Sequence, residues 1–328
     1  INFSRVLTLR YGPSMSQYLG TKFTVLSVGR VMTCVLGMVV RREREIRNFV
    51  KTPFYRVLGS FQATAKDGTP VLLDAEWKAV EGSKYFGTPY LYKENGFKER
   101  EKAEELIAYL KEEPPLEAKV LSKEKKKETK NPPLLYNLAE LQNDCSKMFK
   151  ISPDETLKVV QELYEKKLVT YPRTDARVLS TAVAKEIYKN INGLMRYEPM
   201  AGFAKEAMDL GSFKGIAKTR YVNDKQITDH YAIIPTGQGM GNLRGLSPLS
   251  EKVYQVVCRR FLSIFYPAAI YQKYSLVLER KKEQFFASFK VLSEPGYLKV
   301  ADVNLAKKSS IQETFSDEKE GNSAQTDE

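Results

Sequence analysis

The order of secondary-structure signals along the chain limits the folds that it can adopt. Residues 52–92 and 268–300 are rich in β-branched and aromatic residues, which is typical of antiparallel strands. Residues 134–265, which lie between them, carry the capping residues and the apolar spacing of helices. Strands on both sides of a helical block predict an α+β protein in which a helical domain is inserted into a β-rich domain.

The first strand region contains a turn signal and is followed by a helix and a charged run. Asp67 and Gly68 predict a hairpin, and residues 98–112 predict an amphipathic helix that a Pro-Pro pair ends. Its inward residues are expected to be Ala103, Leu106, Ile107 and Leu110. The charged run, residues 123–130, is interpreted as a basic connector that follows a short strand and marks a domain boundary.

The helical block begins with clear capping signals. Asn137 predicts one helix start, and Ser152 with Pro153 and Glu155 predicts another. The inward residues of this second helix are expected to be Leu157, Val160, Leu163 and Tyr164. Further helices are predicted over residues 180–192 and 249–265.

The first fifty residues are also predicted to be helical, most clearly over residues 24–50. Val31, Val35, Met38 and Val39 share one face at helical spacing there.

Charge indicates a polyanionic partner. The formal net charge is +12, and the acidic residues 301–328, predicted to be a polar disordered tail, leave residues 1–300 near +16. A basic body of this kind favours nucleic acid, although many soluble proteins are mildly basic. No run approaches the roughly 18 apolar residues of a membrane span.

Several kinds of site are excluded by residue counts and spacing. The three cysteines, Cys34, Cys145 and Cys258, are too far apart for a disulfide framework or a close-spaced zinc motif, and they favour a reducing, cytoplasmic setting. His230 is the single histidine, so multi-histidine metal sites cannot form. The glycines of residues 211–219 and 237–241 lack the spacing or context of phosphate cradles, so neither ATP nor NAD is indicated.

Tyr171 lies in the most informative segment. Pro172 favours an extended backbone before it, and alternation along a strand places Tyr171 and Arg173 on the same side. A phenol attacks poorly at neutral pH unless a cation stabilises the charge that it forms. A guanidinium can hold two phosphate oxygens, which suits phosphoryl transfer, yet a Tyr-Pro-Arg sequence alone is more often a surface strand.

Two further segments add phosphate-binding and acid–base residue types. Residues 27–33 place small residues beside Arg30 at a helix start, where backbone N–H groups can meet phosphates. Residues 229–236 place His230 between an acid and an aromatic residue, before an apolar strand. A lone histidine is more often structural than catalytic.

Together these segments resemble type IA DNA topoisomerases, particularly the bacterial topoisomerase III branch. The similar stretches occur in the family's order and cover most of residues 1–300; they are residues 4–12, 26–46, 131–142, 168–180, 229–236 and 285–300. The resemblance implies that Tyr171 is the nucleophile that forms a 5′-phosphotyrosyl bond, that Arg173 contacts the scissile phosphate, and that His230 is the active-site histidine. It also implies a single-strand DNA path lined by Ser27, Val28, Gly29, Arg30, Val31 and Met32.

The chain departs from the family pattern at several places. Met32 stands where the family usually has glutamine, Cys34 replaces a usual proline, and Tyr231 replaces a histidine. Nothing in the sequence resembles the acidic Toprim domain, whose carboxylates hold Mg²⁺ in the family. We therefore expect a central fragment that is inactive alone, with the Mg²⁺ ligands outside this chain.

The resemblance implies a domain order that agrees with the order read from pattern. Residues 1–50 would begin the DNA-path domain and residues 301–328 would be the tail; the β-rich arch would comprise residues 51–133 and 266–300, and the inserted helical domain residues 134–265. The expected function is single-strand DNA cleavage, strand passage and religation, giving relaxation or decatenation in the full enzyme. The alternative is a non-catalytic module that binds single-stranded DNA. A tyrosine recombinase or relaxase is disfavoured because their sites need more than one histidine.

Overall fold

The computed structural model describes residues 2–64 and 68–301. Helices α1 (Asn2–Leu19) and α2 (Arg30–Arg47) come first. The prediction that the second helix extends back to residue 24 is wrong. Hydroxyl groups of α1 instead bind the backbone of the returning segment: the Leu26 N–H donates to Thr8 Oγ1 at 2.9 Å, and this competes with helical pairing.

The apolar face of α2 is exposed. Val31, Val35, Met38 and Val39 lie on this helix as predicted, and each has more than half of its surface accessible, with Val31 at 78%. None of the helices in the described ranges combines the length and apolar character needed to cross a membrane.

The largest sheet has five strands, all antiparallel, and their spatial order is β1-β2-β7-β6-β5. These strands are β1 (Leu58–Thr64), β2 (Pro70–Lys78), β5 (Lys119–Lys130), β6 (Ala269–Arg280) and β7 (Glu283–Glu294). A separate ribbon pairs β3 (Leu91–Lys93) with β4 (Gly96–Phe97). The predicted hairpin is confirmed by the pairing of β1 with β2, while Asp67 at its turn lies outside the described residues.

One apolar core lies between this sheet and helix α3 (Arg100–Lys111). Trp77 is fully buried and stacks on Phe97 at 5.0 Å between ring centroids. Its indole N–H donates to the buried Glu283 carboxylate at 2.7 Å, which satisfies both polar groups inside the core. Ala103 and Leu106 of α3 face this core as predicted, but the prediction for Ile107 is wrong, because it is exposed.

The charged run at residues 123–130 is not a connector. It belongs to β5, which pairs with β6 along its whole length. As an edge strand, β5 has only one neighbour and keeps water on its other side, so lysines are tolerated at most positions. The high charge of residues 123–130 therefore reflects a solvent-exposed edge strand and not a loop.

The helical block lies between β5 and β6 in the chain. Its helices are α4 (Leu138–Phe149), α5 (Pro153–Glu165), α6 (Thr181–Leu194), α7 (Glu198–Leu210) and α8 (Pro248–Ser263), and the short α9 (Leu298–Ala301) packs on α8. Asn137 and Ser152 cap α4 and α5 as predicted. Helix α7 was not predicted, because Tyr197 at its N-cap offers no capping side chain.

The block forms its own apolar core, which includes residues from every one of helices α4 to α8. Leu163 and Val160 are buried as predicted, whereas Tyr164 is 39% exposed and corrects the prediction that it faces inward. The last pair of the β5–β6 ladder joins Lys130 to Ala269, so the chain enters and leaves the block through neighbouring strand ends. The α+β class is confirmed, with the helices inserted between two strands of one sheet.

Candidate active site

The Tyr171 segment follows α5 and runs extended, as the proline predicted. Short antiparallel pairing joins it to residues 232–236: the Thr170 N–H donates to the Ile234 carbonyl at 3.0 Å, and the Thr236 N–H donates to the Leu168 carbonyl at 3.0 Å. Residues 229–236 form isolated bridges and no strand of a sheet. These contacts place the histidine-containing segment directly beside Tyr171.

Two threonine hydroxyl groups fix these segments on either side of Tyr171. Thr170 Oγ1 donates to the Ala232 carbonyl at 2.9 Å and accepts from the Ile234 N–H at 3.0 Å. Thr174 Oγ1 donates to the carbonyl of His230 itself at 2.8 Å. Each hydroxyl bonds a backbone group of the partner segment, so the separation of Tyr171 and His230 is set by the backbone.

The ring of Tyr171 lies between two other rings. Its centroid is 4.3 Å from that of His230, with the planes inclined by 40°. Tyr164 of α5 contacts it edge-on at 5.5 Å. Tyr171 is half-buried, and it lines an open cleft of about 560 Å³ with Tyr164, Glu165, Lys167, His230, Tyr231 and Gln238. Tyr164 therefore lines the candidate site, whereas its helical spacing predicted that it would face the core.

Arg173 lies beside this cleft and does not line it. Its side chain is exposed, and no hydrogen bond or ion pair holds it within the described ranges. The buried Pro172 separates it from Tyr171. A free guanidinium two residues from the phenol can turn towards a phosphate bound at the mouth of the cleft.

Tyr231 is a further tyrosine that lines the cleft. Burial raises the pKa of its phenol, because an ionised phenolate would lose its hydration there. Tyr231 therefore stays neutral over a wider pH range than a free phenol. It offers the cleft a hydrogen-bond donor where the resemblance expects a histidine.

A partly buried ion pair supports the far side of the 232–236 segment. The Ile233 N–H donates to the Tyr136 carbonyl at 2.8 Å, and the Arg260 guanidinium lies 4.1 Å from the centre of the Tyr136 ring. Arg260 also binds the Asp144 carboxylate at 2.8 Å. Burial raises the pKa of the Tyr136 phenol, which donates to Asp144 at 2.6 Å. These residues were not predicted, since Arg260 lies 116 positions from Asp144 in the sequence.

Two glycines allow the end of the 232–236 segment to pack closely against α6. A Cβ atom on Gly193 would lie 2.1 Å from the Gly237 carbonyl oxygen, far inside contact distance. Gly237 itself has φ +73°, in the region that glycine adopts without strain. The close approach packs the Gly237 turn on the helix.

Of the predicted DNA-path residues, none of Ser27, Val28, Gly29, Val31 and Met32 is among the residues that line this cleft. Gly29 is the N-cap of α2, and Ser27, Val28 and Met32 are exposed. The side chain of Arg30 lies outside what the structure describes.

The described residues, 2–64 and 68–301, contain no cluster of three or more Asp, Glu, His or Cys ligands for a metal ion. Mg²⁺ at phosphoryl-transfer sites is usually bound by one or two carboxylates, water and the substrate phosphates, so a complete magnesium cage among the residues of this chain is not required.

A family model described as DNA topoisomerase matches residues 1–328. The chain therefore belongs to the type IA DNA topoisomerase family, which confirms the resemblance seen in the sequence. The chain is 35% identical over 297 residues to DNA topoisomerase 3 of Bacillus subtilis (strain 168), a match that covers 89% of this chain and 37% of that protein. It is 32% identical over 305 residues to DNA topoisomerase 3 of Bacillus thuringiensis (strain Al Hakam), covering 92% of this chain and 36% of that protein.

A solved structure shares the fold. The full-length topoisomerase I of Thermotoga maritima superposes with a TM-score of 0.56 at 22% identity, covering 96% of this chain and 46% of that one. The chain thus spans less than half the length of each of these three relatives.

Proposed function

We propose that this chain carries the nucleophile of a reaction that cleaves and rejoins one strand of DNA, and that the nucleophile is Tyr171. The observation that carries the proposal is the Tyr171 phenol in an open cleft, with the ring of the chain's single histidine 4.3 Å from its own. Arg173, two residues along, has no ion-pair or hydrogen-bond partner among the described residues. The family membership supports DNA as the substrate.

The proposed step is a transesterification. The Tyr171 oxygen attacks a phosphorus atom of the strand and loses its proton, while the bond to the 3′ oxygen breaks and that oxygen gains a proton. The 5′ end of the strand is then joined to the tyrosine as a phosphodiester. Religation is the reverse attack by the 3′ hydroxyl. Because one ester replaces another, no nucleotide cofactor is required.

Arg173 and His230 have separate roles in this proposal. Arg173 binds the oxygens of the attacked phosphate and stabilises the charge that develops there. His230, packed on the ring of Tyr171, orients the phenol and can exchange a proton at the mouth of the cleft. Residues 27–32 at the start of α2 are proposed to contact the backbone of the bound strand, with Mg²⁺ bound by parts of a longer protein. We also propose that the protein works in a reducing, cytoplasmic compartment, because its three cysteines are too far apart in sequence for a disulfide framework.

The test is a covalent adduct formed with the longest natural protein that contains this chain. A single-stranded oligonucleotide labelled at its 3′ end is incubated with the protein and Mg²⁺, and label that stays with the protein on a denaturing gel reports the 5′-phosphotyrosyl bond. Tyr171→Phe should abolish the adduct, whereas the matched variant Tyr164→Phe, which removes a hydroxyl from the same cleft, should retain it. An adduct from Tyr171→Phe would refute the assignment. Strand binding with no adduct from any form would favour the binding-module alternative.

A further inference from the structure

One face of the five-stranded sheet carries lysines and aromatic rings that belong to neither apolar core. Lys123, Lys125 and Lys127 alternate along β5, so their side chains share one face. Lys125 pairs with Tyr274 of β6, which pairs in turn with Phe289 of β7. We call this surface, defined by these five residues, the lysine–aromatic face.

Its two rings are stacked and accessible. The centroids of Tyr274 and Phe289 are 5.2 Å apart with an interplanar angle of 20°. Both residues are half-buried, and neither packs in the two cores formed by the described residues. The Lys125 ammonium lies 5.8 Å from the centre of the Tyr274 ring.

The charges on the two sides of β5 are segregated. Glu124 and Glu128 point to the opposite face, where they form ion pairs with Lys126 and Lys290, each at 2.7 Å. Those lysines lower the pKa values of the two carboxyl groups. On the lysine–aromatic face, by contrast, Lys123, Lys125 and Lys127 have no acidic partner in the described ranges. Along β5, therefore, acidic side chains balance the lysines on one face of the strand only.

We propose that the lysine–aromatic face binds single-stranded DNA. Lysines at every second residue of a strand are about 7 Å apart, so three of them follow a phosphate backbone over about 14 Å. Unpaired bases stack on exposed aromatic rings without regard to sequence, and flanking lysines bind their phosphates. A duplex hides its bases and cannot stack in this way. The proposal rests on the proposed function only for its choice of DNA, and it uses none of the cleft residues.

The experiment measures fluorescence anisotropy of a labelled oligothymidylate of about 16 nucleotides with residues 1–328, over a series of salt concentrations. Phe289→Leu keeps an apolar side chain and removes the stacking ring; we expect at least about 5-fold weaker binding. Lys125→Ser should reduce the slope of log affinity against log salt by about 0.7. The matched variant Lys126→Ser changes the adjacent residue on the opposite face and should bind as the wild type does.

Circular dichroism checks that each variant is folded. Equal losses of affinity in Lys125→Ser and Lys126→Ser would show that only the overall charge of the protein matters, and this would overturn the proposal. Wild-type affinity in folded Phe289→Leu would also overturn it. So would equal affinity for duplex DNA of the same length. Tyr171→Phe should bind normally, so a failed adduct test would leave this result unaffected, and a failed binding test would leave Tyr171 unaffected.

Discussion

Replacing Thr170 by valine tests whether the hydroxyl that joins the two site segments stabilises the helical block. Valine has nearly the same shape, so packing is retained and only the hydroxyl is lost. Two backbone groups then lose their partner, the Ala232 carbonyl and the Ile234 N–H, and both residues are fully buried. An unsatisfied buried group costs about 1–3 kcal/mol, so with two such groups we expect the free energy of unfolding to fall by about 2–6 kcal/mol.

Urea unfolding can assign this loss to one core. The single tryptophan, Trp77, lies in the core of the sheet and α3, and its fluorescence reports that core. Circular dichroism at the helical minimum reports mainly the helical block. The midpoint followed by circular dichroism should therefore fall in Thr170→Val, with an unchanged slope.

The matched variant is Thr181→Val, which removes an exposed hydroxyl at the start of α6 that binds Asp224. Because water replaces that bond, its cost should stay below about 1 kcal/mol. Equal midpoints for Thr170→Val and Thr181→Val would refute the reasoning.

Three further outcomes are expected. Cleavage in a single turnover should fall by up to roughly 10²–10³ in Arg173→Ala, the cost of losing one hydrogen-bond donor to the developing charge. The fall should be smaller in Arg173→Lys, which keeps only a point charge; wild-type rates in both would remove Arg173 from the mechanism. Residues 1–328 alone should not relax supercoiled plasmid in Mg²⁺ on a gel, and relaxation that Tyr171→Phe abolishes would contradict this. Burial and the Glu105 carboxylate raise the pKa of Tyr85 from 10.0 to about 12, so its contribution to stability is complete below pH 10 and is lost as pH rises towards 12. Alkaline urea titrations should show that fall, and it should be smaller in Tyr85→Phe.

Local signals predicted the elements whose ends are set by their own residues. Asn137 and Ser152 cap their helices through side-chain bonds to the third residue beyond, so sequence alone contains that information. The β1–β2 hairpin is likewise a contact between neighbours in the chain. Helix α7 lacks such a cap, and tertiary packing of its buried residues Met200, Ala204 and Ala207 stabilises it instead.

The supporting parts of the candidate site could not be predicted in this way. Tyr171 was identified because a proline and an arginine accompany it in a family pattern. Thr170 and Thr174, in contrast, act through carbonyl and N–H groups of residues more than fifty positions away. A run of charged residues can also belong to more than one kind of structure. The lysines of β5 predict a loop from sequence alone, and the hydrogen-bonded pairing with β6 shows that they lie on a strand.

The pairing of Lys130 with Ala269 has a consequence for the order of folding. Residues 131–268 form the loop that this pair must close, and a long open chain pays more entropy to bring its ends together than a short one does. Helices form from local contacts and fold early. Once the block has assembled, its two ends are held next to each other, and the β5–β6 ladder closes across a gap that is already short. We therefore expect the sheet core that contains Trp77 to form after the helical core, although the two cores share no residues.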